Sequence, residues 1–231
     1  MARKPFESPF FNGTDSSGKQ FKVDVTSSIA PSLSSNTGLV DSVISWMKEH
    51  NCRRILDFGA GALRHSLPLL RAGFEVTAVE YENAFKRPVA SKKRAAAQRF
   101  AHFEDLVWPH DFLKSREKYD VVILVFVLQT VPEKKERDTI LKEIAKRLDR
   151  NGPRRLYYAS RFGDRTETDT RHRYKDGFIR KLDNEYQTFY TEWAPSETEK
   201  FMKKRGFERT GGYSGAQQAY VFEYKPRNVF G

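Results

Sequence analysis

Between Arg54 and Glu80 the chain reads RILDFGAGALRHSLPLLRAGFEVTAVE, and few architectures accommodate that order of residues. An apolar run ends in Asp57, the turn Gly59-Ala60-Gly61 follows, then a helical segment, then a second apolar run ending in Glu80. This is a strand, turn, helix and strand with an acid at the carboxyl end of each strand. In open α/β sheets, ligands bind just outside those ends and against a helix N-terminus. Glycines let the backbone approach a ligand with no Cβ in the way. An acid after the second strand, about 20 residues past the glycines, suits the hydroxyls of a ribose. The unit is therefore expected to hold a nucleoside-containing small molecule.

Departures from the dinucleotide pattern decide which nucleoside. The Gly-x-Gly-x-x-Gly/Ala fingerprint requires a small third residue for close helix–strand packing, and Arg64 stands there. Asp57 puts a carboxylate just before the turn, where a pyrophosphate would be repelled and a cation attracted. S-adenosylmethionine, with its adenosine, sulfonium and ammonium, suits both acids. Glu80 is then expected to take the ribose hydroxyls and Asp57 to support the positive methionyl end. Arg64, or the amides at the helix start, would meet the methionyl carboxylate.

On Asp57-Phe58-Gly59-Ala60-Gly61 and Glu80 the chain resembles the class I S-adenosylmethionine-dependent methyltransferases. The resemblance runs from about Thr37 to Tyr224, although only the glycine motif is specific. It implies an α/β fold: a Rossmann-like three-layer sandwich, with a mostly parallel seven-stranded sheet and a terminal antiparallel strand. By position it adds Tyr81 to the cofactor contacts, with Asp111 for the adenine amino group and Phe112 against the ring, and with Glu104 and Asp105 competing for the acidic role. It also sets Val125 and Phe126 beneath the methionyl part, although a single aromatic in an apolar run, as Phe126 is, more often belongs to the core.

The remaining chain continues the alternation. Leu39, Val40, Val43, Ile44 and Met47 mark one apolar helix face, and a basic stretch to about Arg99 reads as helix on either side of Pro88. Strands are expected at Phe103–Val107, Asp120–Val127 and Arg155–Ala159, a helix from Pro132 to about Leu148, and another over Ala194–Arg205. Phe207–Thr210 and Ala219–Tyr224 form a terminal hairpin. One methyltransferase domain over 1–231 accounts for this, with an N-terminal extension 1–36 and a long, aromatic-rich connection 161–193. Connections of that length are often lids. The connection is read as the acceptor side or as a surface excursion, with short strands at Gly177–Ile179 and Tyr186–Tyr190 turning at Asp183-Asn184. Gln129, Arg161 and Tyr174 are candidate acceptor contacts.

Other features narrow the chemistry. No Asp/Asn-Pro-Pro-Tyr/Phe tetrad follows the fourth strand, where Val127 to Pro132 stand instead, and Cys52 is the single cysteine. Neither standard base-methylating mechanism has its residues, and no catalytic acid or base is assignable. The histidines lack metal-ligand spacing. One cysteine, no secretory h-region and no long apolar run fit a cytoplasmic enzyme with no membrane partner. The net charge of +11, with six basic residues and no acid between Ala84 and Arg99, leaves an anionic acceptor or a nucleic-acid partner open. The leading expectation is methyl transfer to a small molecule or other non-base acceptor. An RNA or DNA methyltransferase and a non-catalytic cofactor-binding subunit are the alternatives.

Overall fold

The apolar run Val121–Val125 is buried at every position, which an exposed sheet face would not allow. It is a central strand with helices over both faces. The computed structural model of the protein describes residues 8–26, 38–161, 171–180, 188–213 and 217–226. In chain order its elements are a hairpin of β1 (Phe10–Thr14) and β2 (Gln20–Asp24), then α1 (Gly38–Glu49), β3 (Arg54–Phe58), α2 (Ser66–Arg71), β4 (Glu75–Glu80), α3 (Glu82–Phe85) and α4 (Pro88–Ala97). Next come β5 (Phe103–Val107), α5 (His110–Lys114), β6 (Val121–Val125), a 3-10 turn Leu128–Thr130, α6 (Lys134–Arg147) and β7 (Arg155–Arg161). The chain continues with β8 (Arg171–Tyr174), β9 (Gly177–Arg180), β10 (Thr188–Tyr190), α7 (Pro195–Lys203), β11 (Phe207–Tyr213) and β12 (Gln217–Tyr224).

Seven strands form one sheet in the order β11-β12-β7-β6-β3-β4-β5, in which β12 alone runs antiparallel to its neighbours. The order reverses between β3 and β6, which places the switch point at the carboxyl end of β3. Alternate residues feed two cores. Ile55, Val121 and Ile123 face α1 and α2, while Leu56, Val122 and Leu124 face α5, α6 and α7. The three-layer expectation holds, as do the strand at Phe103–Val107 and the terminal hairpin.

The extension and the connection meet. β8, β9 and β10 make a separate three-stranded sheet, and the β1–β2 hairpin lies against it. Phe11, Phe21, Val23, Ile179 and Phe189 form their shared core, with Tyr174 packed on it. Ser16 N–H donates to Arg173 O at 3.1 Å and His172 Nδ1 lies 2.9 Å from Asp15 Oδ2. We call this unit the annex. The expected strands at Gly177–Ile179 and Tyr186–Tyr190 appear as β9 and β10, while the Asp183-Asn184 turn lies outside the described residues. The strand β8 and the hairpin β1–β2 were not expected.

Two clusters pin the annex to the main body. Beyond β4, Asp24 accepts from Arg87 at 3.0 Å and from the N–H and hydroxyl of Thr26 at 2.9 and 2.7 Å. Beyond β6, Lys175 pairs with Glu133, Asp176 with Arg137, and Thr191 N–H donates to Gln129 O at 2.9 Å. The annex therefore spans the carboxyl edge of the sheet from β4 to β6.

Candidate functional site

The turn after β3 is shaped by close backbone packing. Gly59 has φ +73°, and a Cβ there would lie 2.3 Å from Val127 Cγ2, so side-chain-free backbone is required. Its N–H donates to Val79 O at 2.9 Å, and that of Ala60 to the same oxygen at 3.1 Å. Phe58 turns away into the core, edge-on to Trp108 at 5.0 Å, so it offers the crevice only backbone. The chain turns tightly through Gly61 to His65, with Leu63 at φ 56°, before α2 starts at Ser66. The helix α2 has six residues.

Asp57 and Glu80 sit at the tips of adjacent strands, and pleat alternation points both toward the α1/α2 face. Both are buried. Gly61 N–H donates to Glu80 Oε2 at 2.9 Å and Tyr81 N–H to Oε1 at 2.8 Å, so this carboxylate ties the glycine turn to the end of β4. Ser66 Oγ donates to Asp57 Oδ2 at 2.6 Å. Burial pushes Asp57 up to about 6, against the pull of the Ser66 hydroxyl. Burial, with a smaller repulsion from Asp57, pushes Glu80 up to about 7. Ionising two desolvated carboxylates side by side is costly, and a cation beside them offsets that cost. The ligand chemistry that suits them is therefore cationic.

Arg64 is half-buried beside the turn, with its Nε buried and lacking a hydrogen-bond partner. Its charge adds to burial in lowering His65 to about 4. Val125 ends β6 in the core, and Phe126 follows with φ 58°, its N–H donating to Ala159 O at 2.9 Å. A bulky residue in the left-handed region is strained, and such strain concentrates at functional sites. The sequence gives no warning of it.

The adenine-side expectations divide. Asp111 is half-buried, receives Val107 N–H at 3.2 Å and is held below the usual carboxylate range chiefly by its bond to His110. Its rivals are elsewhere: Arg94 grips Asp105, and Glu104 accepts from Thr77 at 3.3 Å near the amino end of β5. Phe112 requires a correction. It is fully buried, its ring against Phe58 and Trp108 and under the Arg147 guanidinium at 4.2 Å, so no face remains for an adenine ring. Tyr81, half-buried at the end of β4, packs against the same core.

On the acceptor side, Gln129 is buried in the 3-10 turn under the annex. The ring of Tyr174 belongs to the annex core, 4.9 Å from Phe21, and its hydroxyl reaches Glu133 at 3.4 Å. Arg161 ends β7 opposite Gln217, and its side chain lies outside the described residues. Burial pushes the Cys52 thiol up to about 11, which leaves no thiolate at neutral pH. The basic stretch is not a free stripe: Lys86 pairs with Glu82, Arg87 with Asp24, Arg94 with Asp105, and Lys93 is buried. Among the described residues, no helix is long and apolar enough to cross a membrane.

Residues 56–153 match the family model of a methyltransferase domain. No curated protein matches the chain in sequence. Among solved structures, the CcbJ methyltransferase of Streptomyces caelestis superposes with a TM-score of 0.63 at 17% identity, over 82% of this chain and 90% of that one. The 1,6-didemethyltoxoflavin-N1-methyltransferase of Burkholderia thailandensis, solved with its substrate and S-adenosylhomocysteine, gives 0.60 at 18% identity over 88% and 82%. Magnesium protoporphyrin IX methyltransferase of Synechocystis, with bound S-adenosylhomocysteine, gives 0.53 at 19% over 80% and 81%. Likeness at these identities is one of fold.

Proposed function

We propose that this chain, which carries a methyltransferase domain of the class I S-adenosylmethionine-dependent fold, transfers the methyl group of S-adenosylmethionine to a small-molecule acceptor under the annex. The observation that carries this reading is the pair of buried carboxylates, Asp57 and Glu80, side by side at the tips of adjacent strands. Glu80 keeps lone pairs for two ribose hydroxyls while its oxygens hold the turn through Gly61 and Tyr81. Asp57 stabilises the cationic methionyl end across the turn, and Arg64 receives its carboxylate. Asp111 takes the adenine amino group.

Transfer is an in-line displacement: the carbon–sulfur bond breaks as the bond to the acceptor's nucleophile forms, and S-adenosylhomocysteine leaves neutral at sulfur. Once the charge on sulfur is gone, the attraction to the two carboxylates weakens. The chain's contribution is to hold the donor and exclude water, with the reacting atoms about 3–3.5 Å apart. Phe126 and Val125 form the floor beneath the methyl group, and the annex is the roof.

Incubation of the protein with methyl-labelled S-adenosylmethionine and fractionated extract is the test. Label in a low-molecular-mass fraction is the expected result. Label confined to RNA or DNA would move the acceptor to the macromolecular class. Cofactor binding with no transfer into any fraction would instead indicate a cofactor-binding subunit.

A further inference from the structure

Arg137 is an unusual residue to lose from solvent. It lies in the first turns of α6, and its side chain is 0% exposed. Only Nη2 is engaged, with Asp176 Oδ1 at 2.7 Å and Pro132 O at 3.3 Å. The guanidinium face lies 5.1 Å from the Trp193 ring. Nε and Nη1 are buried and have no hydrogen-bond partner. Desolvating a cation with two of its three nitrogens unsatisfied is costly, and such groups call for a partner.

Two further donors share this place. Tyr158 and Ser160 are i and i+2 on β7, so they project from one face, the face packed by α6. The Tyr158 hydroxyl and Ser160 Oγ are both buried without a hydrogen-bond partner by geometry. Burial pushes the Tyr158 phenol up, against smaller pulls from the neighbouring Ser160 hydroxyl and, more weakly, from the Arg137 charge, so the three groups are neighbours across the β7–α6 packing. They offer donors and no anionic acceptor of their own. A single group that engages Nε and Nη1 of Arg137 together with these hydroxyls brings several lone pairs, as an oxyanion does.

The position fits an acceptor. Ser160 stands at the carboxyl end of β7, one residue past the Ala159–Val125 pair. β7 is two strands from β3, roughly 10 Å along the sheet by inter-strand spacing, and Tyr158 and Ser160 project from the face opposite Asp57 and Glu80, so an acceptor held here would meet the donor over the carboxyl edge of the strands. The cover is thin, because Asp176 is 45% exposed while Arg137 directly beneath it is sealed. An incoming anion need only compete with that one carboxylate.

We propose that Arg137, Tyr158 and Ser160 form a subsite for an oxyanion group, a carboxylate or a phosphate, on the methyl acceptor. The identity of the ligand as acceptor rests on the methyl-transfer reading; the anion site rests on these side chains alone. Displacing Asp176 from Arg137 would also free the β8–β9 turn, so acceptor entry and movement of the annex are linked.

The test is calorimetric titration of the full chain, with and without S-adenosylhomocysteine, using benzoate, phenyl phosphate and benzamide as probes. At least one anion is expected to bind, with benzamide about tenfold or more weaker. Arg137→Gln should weaken the anion by about tenfold or more, and Tyr158→Phe by about three- to tenfold. Asp176→Asn, which removes the competitor at a half-exposed position, should tighten it by about threefold or more. If Arg137→Gln fails to fold, the Tyr158 and Asp176 variants decide. Equal binding of benzoate and benzamide, no binding of either anion, or anion affinity unchanged in Tyr158→Phe and Asp176→Asn would each overturn the subsite, leaving buried water as the partner of these donors. Binding of S-adenosylhomocysteine with no anion binding sinks the subsite alone. The converse sinks the methyl-transfer reading and leaves the anion site.

Discussion

The glycine turn and the annex border the same sheet edge and are held there by different means. At the turn, position is set by backbone: Gly59 and Ala60 share the oxygen of Val79, and Glu80 receives the amides of Gly61 and Tyr81. In the annex, position is set by side-chain pairs across a seam: Asp24 with Arg87, Glu133 with Lys175, Arg137 with Asp176. Backbone contacts with no room for a Cβ cannot shift without unfolding something. Paired side chains, several of them exposed, can separate and re-form. A fixed floor for a cofactor used in every turnover and a separable roof for an exchanging acceptor is the arrangement this contrast suggests.

Substitutions can break that contrast. The largest effect is expected at Gly59→Ala. A left-handed φ and a 2.3 Å overlap with Val127 should cost about 2–4 kcal/mol, read as a fall of about 5–10 °C in Tm, with loss of cofactor binding. Next, Glu80→Ala should weaken S-adenosylhomocysteine about 10- to 100-fold in calorimetry. Glu80→Gln keeps an acceptor for Gly61 or Tyr81 and should bind better than the alanine variant while weakening the sulfonium form most. If both variants bind as the parent does, Glu80 has no part in the site.

The pH dependence sharpens the same point. Asp57 and Glu80 have ordinary values of 3.8 and 4.5 and stand at about 6 and about 7 in the folded chain. Between about pH 4 and 7 the folded state therefore holds more protons than the unfolded one, so this pair lowers stability as pH rises through that window. The ligand-free chain should thus show a contribution that falls from pH 5 to 7.5, and Glu80→Gln should flatten it. Affinity for S-adenosylmethionine should rise over the same interval and level off above it, more steeply than that of the demethylated product. A flat profile for both ligands would remove the carboxylate pair from the explanation.

How much of this was legible in the chain follows the same division. The turn motif announced itself because close backbone packing demands glycine at fixed spacing, and the doubly buried strands because a five-residue apolar run has few other uses. Phe112 was misplaced because residue type alone cannot distinguish a ring against a ligand from a ring under Arg147. The β1–β2 hairpin carried a signal, with Phe11, Phe21 and Val23 inward on its strands, yet its core is completed by Ile179 and Phe189 from far along the chain, which no local pattern reveals. Arg137 was invisible, since a basic residue in a basic helix reads as solvated, and only the packing of Trp193 and Asp176 over it reveals otherwise.

Smaller effects belong to the seam. Asp24→Asn removes the charge and the oxygen that faces Arg87 while leaving an acceptor for Thr26, and should lower stability by about 1–2 kcal/mol in denaturant titration, with S-adenosylhomocysteine affinity changed less than about threefold. Lys175→Ala breaks a half-exposed pair with Glu133 and should change stability by less than about 0.5 kcal/mol. A loss of cofactor affinity in Lys175→Ala as large as in Glu80→Ala would mean that roof and floor are one unit.

Calorimetric titration of the wild-type chain with S-adenosylhomocysteine and, separately, with NAD decides the central point. One equivalent of S-adenosylhomocysteine should bind, and NAD should give no heat, because Asp57 and Arg64 stand where a pyrophosphate and a close helix would have to be. Tight NAD binding with no response to S-adenosylhomocysteine or S-adenosylmethionine would contradict it.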